Sequence, residues 1–452
     1  MLKQIALLTL GLSMAAPAHS ETLSFLASRN LAGDVSQILG VGEVTEKVKA
    51  NGVTSVLIDL GGVLSPSEQS FEHRRKGSLT VDLMNQAGYT AWFLSGRDLV
   101  WANQLTKFLR RTDFPVLASN LHRAETGRHL FQVQPYTVIR ASSLRIGLIG
   151  LAGEIAGVLS SDPVAAARYY AGMIASTCDL LMVVSSAGPD ADKAIATTVS
   201  EVDLVIGHGA ATGTTKTEGG LVVSVKDSQG LWGIDLTVEN GELTEAIVSP
   251  MTIPAVDRVS INQSFIGWSA ELEGEAVSLG TVIGLSEGGF QTALTSPLGY
   301  FVADVTRNSA STDGALVRAD HFPADFVTGE ITVYDLYRSY PLPFTVGVAS
   351  IKGAEVMRLL APEDGKFLYY PSGIDAVYSQ GDAGLLEASI GGVAIDPRID
   401  YTIAIELGAS SDEALSGSRV RDTGQRVRDL VGKHVRTSGS VKGVVDGRIQ
   451  KR

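Results

Sequence analysis

Four polar side chains stand where apolar strands of this sequence are predicted to end. Arg97 and Asp98 follow the strand Ala91–Leu94 through a turn of two small residues, Asp59 ends an earlier strand, and His208 follows a later one. Strand ends of this kind are common positions for functional side chains. Carboxylates and an imidazole supply acid–base or metal-ligand chemistry, whereas a guanidinium favours an oxyanion.

The elements around these residues predict an α/β domain. Up to about residue 250, short apolar strands alternate with helical periodicity, as in Ile38–Val48 and Leu99–Leu109. The other predicted strands are Leu23–Leu26, Ser55–Ile58, Ile146–Leu151, Leu180–Val184, Leu204–Ile206, Leu221–Val225 and Trp232–Val238. Because ligands gather at the carboxyl ends of such strands, we expect the functional site there.

The composition limits the class of protein. The chain has 452 residues, of which 44% are hydrophobic and 19% charged, so we expect a globular protein of two or three domains. The net charge of −12 argues against nucleic acid and against an anionic membrane surface as partners. The single cysteine, Cys178, excludes an intrachain disulfide.

Residues 1–20 have the pattern of a signal peptide. Lys3 supplies the positive charge, Ile5–Leu12 forms a short apolar core, and small residues precede a cleavage site near Ser20. Cleavage predicts a periplasmic or secreted protein, whereas an uncleaved segment would leave a membrane-anchored one. No stretch is long enough for an integral membrane segment.

The remaining chain predicts a second domain. We expect the first domain to cover 21–255, followed by an interdomain helix or linker at 256–280, within which the amphipathic stretch Arg258–Glu275 is predicted to be helical. Residues 281–452 mix helices and strands, which is typical of an α+β domain.

Five strand ends, taken in order, resemble the secreted 5′-nucleotidase family and its metallophosphoesterase domain. That family reads roughly LTILHTNDLHG, DAGD, GNHE, SHxG and DLIIGGHTH. The corresponding segments here are Leu23–Gly33 (LSFLASRNLAG), Val56–Ser65 (VLIDLGGVLS), Gly88–Ala102 (GYTAWFLSGRDLVWA), Leu180–Asp190 (LLMVVSSAGPD) and Val202–Gly213 (VDLVIGHGAATG). The resemblance implies a metallophosphoesterase-like α/β sandwich followed by a smaller α+β 5′-nucleotidase C-terminal domain.

The resemblance also implies a two-metal site, but the ligand positions have changed. They are occupied by Asn30, Ala32, Gly62, Arg97, Asp98, Ser186, Gly209 and Ala211. His208 lies one position early and becomes a ligand only if the alignment slips by one residue. Since two divalent metals need hard ligands from several positions, we expect no metal and no other cofactor.

The C-terminal half resembles the nucleotide-binding domain of the same family. The matching segments are Ser296–Arg307, Thr328–Leu360 and Lys366–Ser379. Phe367 takes the position of a base-stacking aromatic, with Tyr369 and Tyr370 beside it, although ordinary packing also explains these rings. The segment Arg318–Phe326 lies where the family has its NGGGIR loop. Where the family has GGDGF, this chain keeps the Asp as Asp412 but lacks the Phe.

Three functions remain open from the sequence. The first is a catalytically silent binding or scaffolding protein, for which the ligand-binding residues would be Arg97, Phe367, Tyr370 and Asp412. The second is an active phosphoesterase of nucleotide catabolism that uses Asp98, Asp59 and His208, with Mn or Zn. The third is a carrier of a nucleotide or small oxyanion held by Arg97, unless Arg97 instead pairs with Asp98 or Asp59; no protein partner is indicated.

Overall fold

The computed structural model describes residues 20–64, 77–101, 109–155, 158–290, 296–363, 366–380, 384–408 and 419–452. These residues form two compact units, which divide between Ala255 and Val256. The signal-peptide segment before Ser20, the centre of the predicted helix Leu99–Leu109, and Asp412 lie outside the described residues.

The first unit contains two six-stranded sheets. One has the order β14-β13-β1-β2-β3-β4 and the other β11-β12-β10-β9-β7-β6. The strands are β1 Ser20–Arg29, β2 Ser55–Asp59, β3 Ala91–Phe93, β4 Val116–Leu117, β5 Leu121–His122, β6 Tyr136–Ala141, β7 Leu144–Leu151, β8 Leu159–Ser160, β9 Leu180–Ser185, β10 Leu204–Gly209, β11 Gly213–Lys216, β12 Leu221–Lys226, β13 Gly230–Glu239 and β14 Glu242–Met251. Strands β1 to β4 run parallel in the first sheet, and strands β7, β9, β10 and β12 run parallel in the second.

Period-two alternation places the apolar side chains of these strands on two buried faces. Leu180 and Met182 of β9 belong to the core between the sheets, which also contains Phe25 of β1. Leu181 and Val183 face the other side and pack against helices. Strands buried on both faces read as continuous apolar runs, which is why the sequence reveals them so clearly.

The α-helices in the described part of this unit are α1 Val35–Ala50, α2 Ser78–Ala87, α3 Pro163–Ile174 and α4 Pro189–Thr198. Asp34 and Asp162 cap α1 and α3 by accepting hydrogen bonds from the backbone of the first turn. Apolar residues of α3 and α4 cover the outer face of the second sheet.

The second unit is an α+β fold built on a five-stranded sheet of order β21-β18-β25-β20-β26. Its helices are α5 Arg258–Ser264, α6 Pro297–Ala310, α7 Val333–Ser339, α8 Gly353–Leu360 and α9 Val427–Ser438. Its strands are β15 Ser269–Leu272, β16 Glu275–Ser278, β17 Val282–Ser286, β18 Gly314–Arg318, β19 Gly329–Thr332, β20 Thr345–Lys352, β21 Tyr369–Ser372, β22 Ile374–Tyr378, β23 Leu385–Ile390, β24 Val393–Ala394, β25 Asp400–Leu407, β26 Val420–Arg426, β27 Ser440–Val441 and β28 Ile449–Lys451.

The prediction of one helix over Arg258–Glu275 is wrong beyond Ser264. The later residues form the hairpin β15–β16, in which Ala270 and Leu272 alternate toward the core. Its turn contains Glu273 and Gly274 with φ of 53° and 83°, a conformation that favours two-residue hairpins. The alternating pattern therefore prevailed over the helical one.

The described ends of the predicted helix Leu99–Leu109 are not α-helical. Asp98–Trp101 and Leu109–Arg111 are 3₁₀ turns. No helix among the described residues is both long enough and apolar enough to cross a membrane.

Candidate functional site

The loops after β1 and β2 are joined by backbone hydrogen bonds at the carboxyl end of the first sheet. Asn30 N–H donates to the Gly61 carbonyl and Ala32 N–H to the Gly62 carbonyl, at 3.0 Å each. Asn30 and Ala32 adopt positive φ, and so do both glycines. A Cβ on Gly62 would lie 2.3 Å from Asn30 Oδ1, so the asparagine amide occupies the space that a side chain at position 62 would need.

The carboxylate of Asp98 connects the loop after β2 to the loop after β3. It is fully buried and accepts hydrogen bonds from the backbone N–H groups of Gly62 (2.8 Å), Leu64 (3.3 Å) and Ser95 (3.0 Å), and from the Ser95 hydroxyl (2.9 Å). Every one of these partners is a donor. Asp98 is therefore oriented toward the backbone of its own chain.

Asp59 is also fully buried and satisfied within the chain. Its Oδ2 accepts a hydrogen bond from Ser28 at 2.6 Å and its Oδ1 accepts one from the Gly61 N–H at 2.8 Å. Ser28 in turn shares a hydrogen bond with the Tyr89 hydroxyl at 2.8 Å. Burial, followed by the negative charge of Asp98, raises the pKa of Asp59 to about 8. At neutral pH this carboxyl is therefore mostly protonated.

Arg29 connects the two sheets at the same end of the sandwich. The side chain is only 4% exposed, and its Nη1 donates to the Leu60 carbonyl at 2.7 Å. Its Nε donates at 2.9 Å to Oδ1 of Asp227, which follows β12 in the second sheet. Asn30 Nδ2 donates to the same oxygen at 3.0 Å. A guanidinium thus provides a fixed positive charge between the strand ends.

His208 lies next to this ion pair, at the end of β10. It is half-buried, and its Nδ1 is 4.0 Å from Asp227 Oδ2. Burial lowers its pKa most, and the positive charges of Arg29 and Arg97 lower it further.

Arg97 is exposed and lies close enough to His208 to influence its pKa. The alternative that Arg97 pairs with Asp98 or Asp59 is wrong, because both carboxylates are buried and hydrogen-bonded to other groups. Arg97 therefore lies near enough to His208 to affect its pKa, whereas Asp59 and Asp98 are buried and hydrogen-bonded to other groups of the chain.

These side chains do not fit a two-metal centre. The carboxylates of Asp59 and Asp98 are enclosed, Asn30 fills the space at position 62, and Ser186 presents a buried hydroxyl without a hydrogen-bond partner among the described residues. Among the residues that the structure describes, no three His, Cys, Asp or Glu side chains come together as a metal site. A slip of the alignment to His208 would add one imidazole, which is too few.

In the second unit the aromatic candidates lie in two different environments. The Phe367 ring packs on the buried Tyr378 at 4.6 Å between centroids, and the Lys451 ammonium lies 5.6 Å from its centre. Tyr370 instead contacts Tyr300 of α6 and Phe322, at 5.3 and 6.0 Å. Their roles as ligand-binding residues stay predictions, as does that of Asp412, which lies outside the described residues.

Sequence reasoning missed Arg29 and Asp227, the pair that joins the two sheets. Arg29 had a usable signal, because a charged residue at the end of an otherwise apolar strand needs a buried partner. Asp227 had none, since it lies in a polar turn of ordinary composition.

Comparison with known proteins agrees with this fold class. Residues 282–411 match the family model described as the 5′-nucleotidase C-terminal domain. A stretch of 175 residues, 36% of this chain, is 25% identical to a 5′-nucleotidase of Diplobatis ommata and spans only 30% of that protein. The structure of a 5′-nucleotidase precursor from Thermus thermophilus aligns over 95% of this chain and 99% of that one, with a TM-score of 0.52 and 17% identity. The predicted α/β sandwich followed by an α+β domain is confirmed.

Proposed function

We propose that this chain is a metal-free, catalytically silent binding protein. Its residues 282–411 match the 5′-nucleotidase C-terminal domain, and its fold is similar to that of a 5′-nucleotidase precursor. Its ligand would be a nucleotide or a small oxyanion, bound near Arg97 and His208. The signal-peptide pattern of residues 1–20 supports export to the periplasm or secretion.

One observation supports this proposal above the others: both oxygens of the Asp98 carboxylate accept hydrogen bonds from groups of the same chain. It stands at a ligand position of the family and hydrogen-bonds the backbone of Gly62, another such position. The two loops that a metal would join are joined instead by a buried carboxylate. A metal ion that displaced these hydrogen bonds would leave three buried backbone N–H groups without acceptors.

The alternative is an active phosphoesterase that uses Asp59, Asp98 and His208. A general acid or base must come within hydrogen-bonding distance of the substrate, and both aspartates are fully buried. Hydrolysis of phosphate esters is among the slowest uncatalysed reactions, so a hydrolase without metal would need an evident replacement for the Lewis acid. His208 and Arg97 together do not supply one.

We expect the purified mature protein to contain no stoichiometric Mn, Zn or Co, and these metals to produce no hydrolysis of AMP or of a generic phosphoester. Elemental analysis and phosphate release, measured on the same samples, provide the test. Stoichiometric metal together with metal-dependent turnover that is lost in His208→Ala would contradict the proposal and establish the hydrolase. An Arg140→Gln variant, altered at an exposed arginine of β6, serves as the control for nonspecific effects.

A further inference from the structure

Two histidines of the first unit lie opposite one another on neighbouring stretches of chain. His122 of β5 and His129 form an antiparallel bridge, and their rings lie 4.8 Å apart between centroids with an interplanar angle of 34°. Nε2 of His129 shares a hydrogen bond of 2.7 Å with the Tyr170 hydroxyl of α3, and Nε2 of His122 lies 3.4 Å from the Ser161 hydroxyl. The pair therefore connects β5 to the segment that contains β8 and continues into α3.

The other ring nitrogen of each histidine is buried and unused. Nδ1 of His122 and Nδ1 of His129 both lack a hydrogen-bond partner among the described residues. A neutral imidazole has one N–H group, for which Nε2 has a hydroxyl partner here, whereas an imidazolium has a proton on both nitrogens. Protonation of either ring would therefore leave a buried N–H group without an acceptor, which costs free energy.

The surroundings of the pair do not compensate a positive charge. The other charged or titratable groups on the elements around it are Arg123, Glu125 and Arg128 of the turn, Asp162, Tyr170 and Tyr136. Glu125 is exposed, Asp162 accepts a hydrogen bond from the Ala165 N–H at 2.7 Å, and neither carboxylate forms an ion pair with these imidazoles. Two protonated rings would also place two cations 4.8 Å apart, where they repel each other.

The strand pair β5–β8 is connected to a loop of the candidate site. Just before β5, the Asn120 amide binds both backbone groups of Ala152: Nδ2 donates to the carbonyl at 2.7 Å, and Oδ1 accepts from the N–H at 2.9 Å. The loop that begins at Ala152 reaches the turn after β3, where a Cβ on Gly96 would lie 3.6 Å from Ile155 Cγ1. Opening of the β5–β8 pair would therefore loosen a loop that packs beside Arg97.

We propose that His122 and His129 form an acid-sensitive latch, which holds the β5–β8 pair and the turn 123–128 closed at neutral pH and releases them at about pH 5. Burial, followed by the charge of His129, lowers the pKa of His122 below its ordinary value of 6.5. Protonation therefore favours the open form. The closed latch has its full stability well above pH 6.5 and loses it as the pH falls through the lowered pKa of His122. The latch does not depend on whether the strand ends of the candidate site hold a metal.

Hydrogen–deuterium exchange of the EDTA-treated mature protein tests the latch, with labelling times scaled at each pH to the intrinsic exchange rate. The amides of Arg123 and Ser161 donate to the carbonyls of Arg128 and Asn120, at 2.8 and 2.9 Å, and report on its closure. Their protection should fall about tenfold or more between pH 7.5 and pH 5, because one proton taken up on opening shifts the equilibrium about tenfold per pH unit. Peptides of α1, in the same unit, should keep their protection.

Two variants assign the acid response to the imidazoles. His129→Gln keeps an amide for the Tyr170 hydroxyl, and His122→Phe keeps a ring in the stack. Each variant removes one of the two charges, so each should keep most of its protection at pH 5. His434→Gln, altered at an exposed histidine of α9, should open as the wild type does.

Equal protection of the wild type at both pH values, or acid opening that persists in both latch variants, would overturn the proposal. A variant that is already open at pH 7.5 shows that its imidazole holds the latch closed, and the other variant then decides the acid response.

Discussion

Asp98→Ala is expected to lower the free energy of unfolding by about 3 kcal/mol or more. The substitution removes the acceptor for the backbone N–H groups of Gly62, Leu64 and Ser95, which are buried at the junction of two loops. Each buried donor left without an acceptor costs about 1–3 kcal/mol, partly recovered where water can enter. Urea denaturation followed by circular dichroism measures the loss.

Two controls separate this effect from the loss of a bound metal. EDTA should leave the unfolding midpoint of the wild type unchanged, and added Mn or Zn should not restore Asp98→Ala. The stability of Asp98→Asn should lie between those of the wild type and Asp98→Ala. Its amide oxygen still accepts hydrogen bonds, but its amide nitrogen is a donor that faces other donors. Wild-type stability in Asp98→Ala would show that these hydrogen bonds do not hold the loops together.

Asp59→Asn is expected to have the opposite sign and to stabilise the protein by several kcal/mol at pH 8, since each unit of pKa shift corresponds to about 1.4 kcal/mol. The pKa of Asp59 is raised to about 8 by burial and by the charge of Asp98. A carboxyl whose pKa is higher in the folded state than its unfolded value of 3.8 stabilises the fold fully below that unfolded value. This contribution is lost as the pH rises, and it is gone above about pH 8. An amide is neutral at every pH and avoids the cost.

The measurement is the unfolding midpoint of wild type and Asp59→Asn between pH 5 and 9. The difference should grow in favour of the variant as the pH rises, and the exposed carboxylate variant Asp113→Asn should follow the wild type. In a protein that needs Asp59 as a metal ligand, the same substitution would remove a ligand and lower stability in a metal-dependent way. A destabilised Asp59→Asn would therefore argue against the metal-free site.

Much of the fold could be predicted from the sequence. Strands such as Leu180–Ser185 are recognisable because both faces are buried, which makes the run continuously apolar. The segment 258–275 was mispredicted because it is short and polar, and a hairpin turn at Gly274 is a weaker signal than a helical period. The resemblance to a known family depended on the same strand ends.

For the candidate site, the sequence predicted only which side chains stand at strand ends. The sequence places Asp59, Asp98, Arg97 and His208 at strand ends, because parallel strands end together at one edge of a sheet. Which of them face a ligand was not predictable. A carboxylate beside a strand end can point toward solvent or toward the neighbouring loop backbone, and the positive-φ conformations of that loop decide the direction.

The sequence by itself determined the positions of most strands along the chain and the fold class, since these depend on local pattern. The tertiary structure alone decided that Asp59 and Asp98 are enclosed and that Arg29 is paired with Asp227, 198 positions away in the chain. Contacts of that kind depend on how two sheets pack on each other, and the packing of the sheets cannot be predicted from local periodicity. The buried guanidinium between the sheets therefore becomes visible only when the sandwich is assembled.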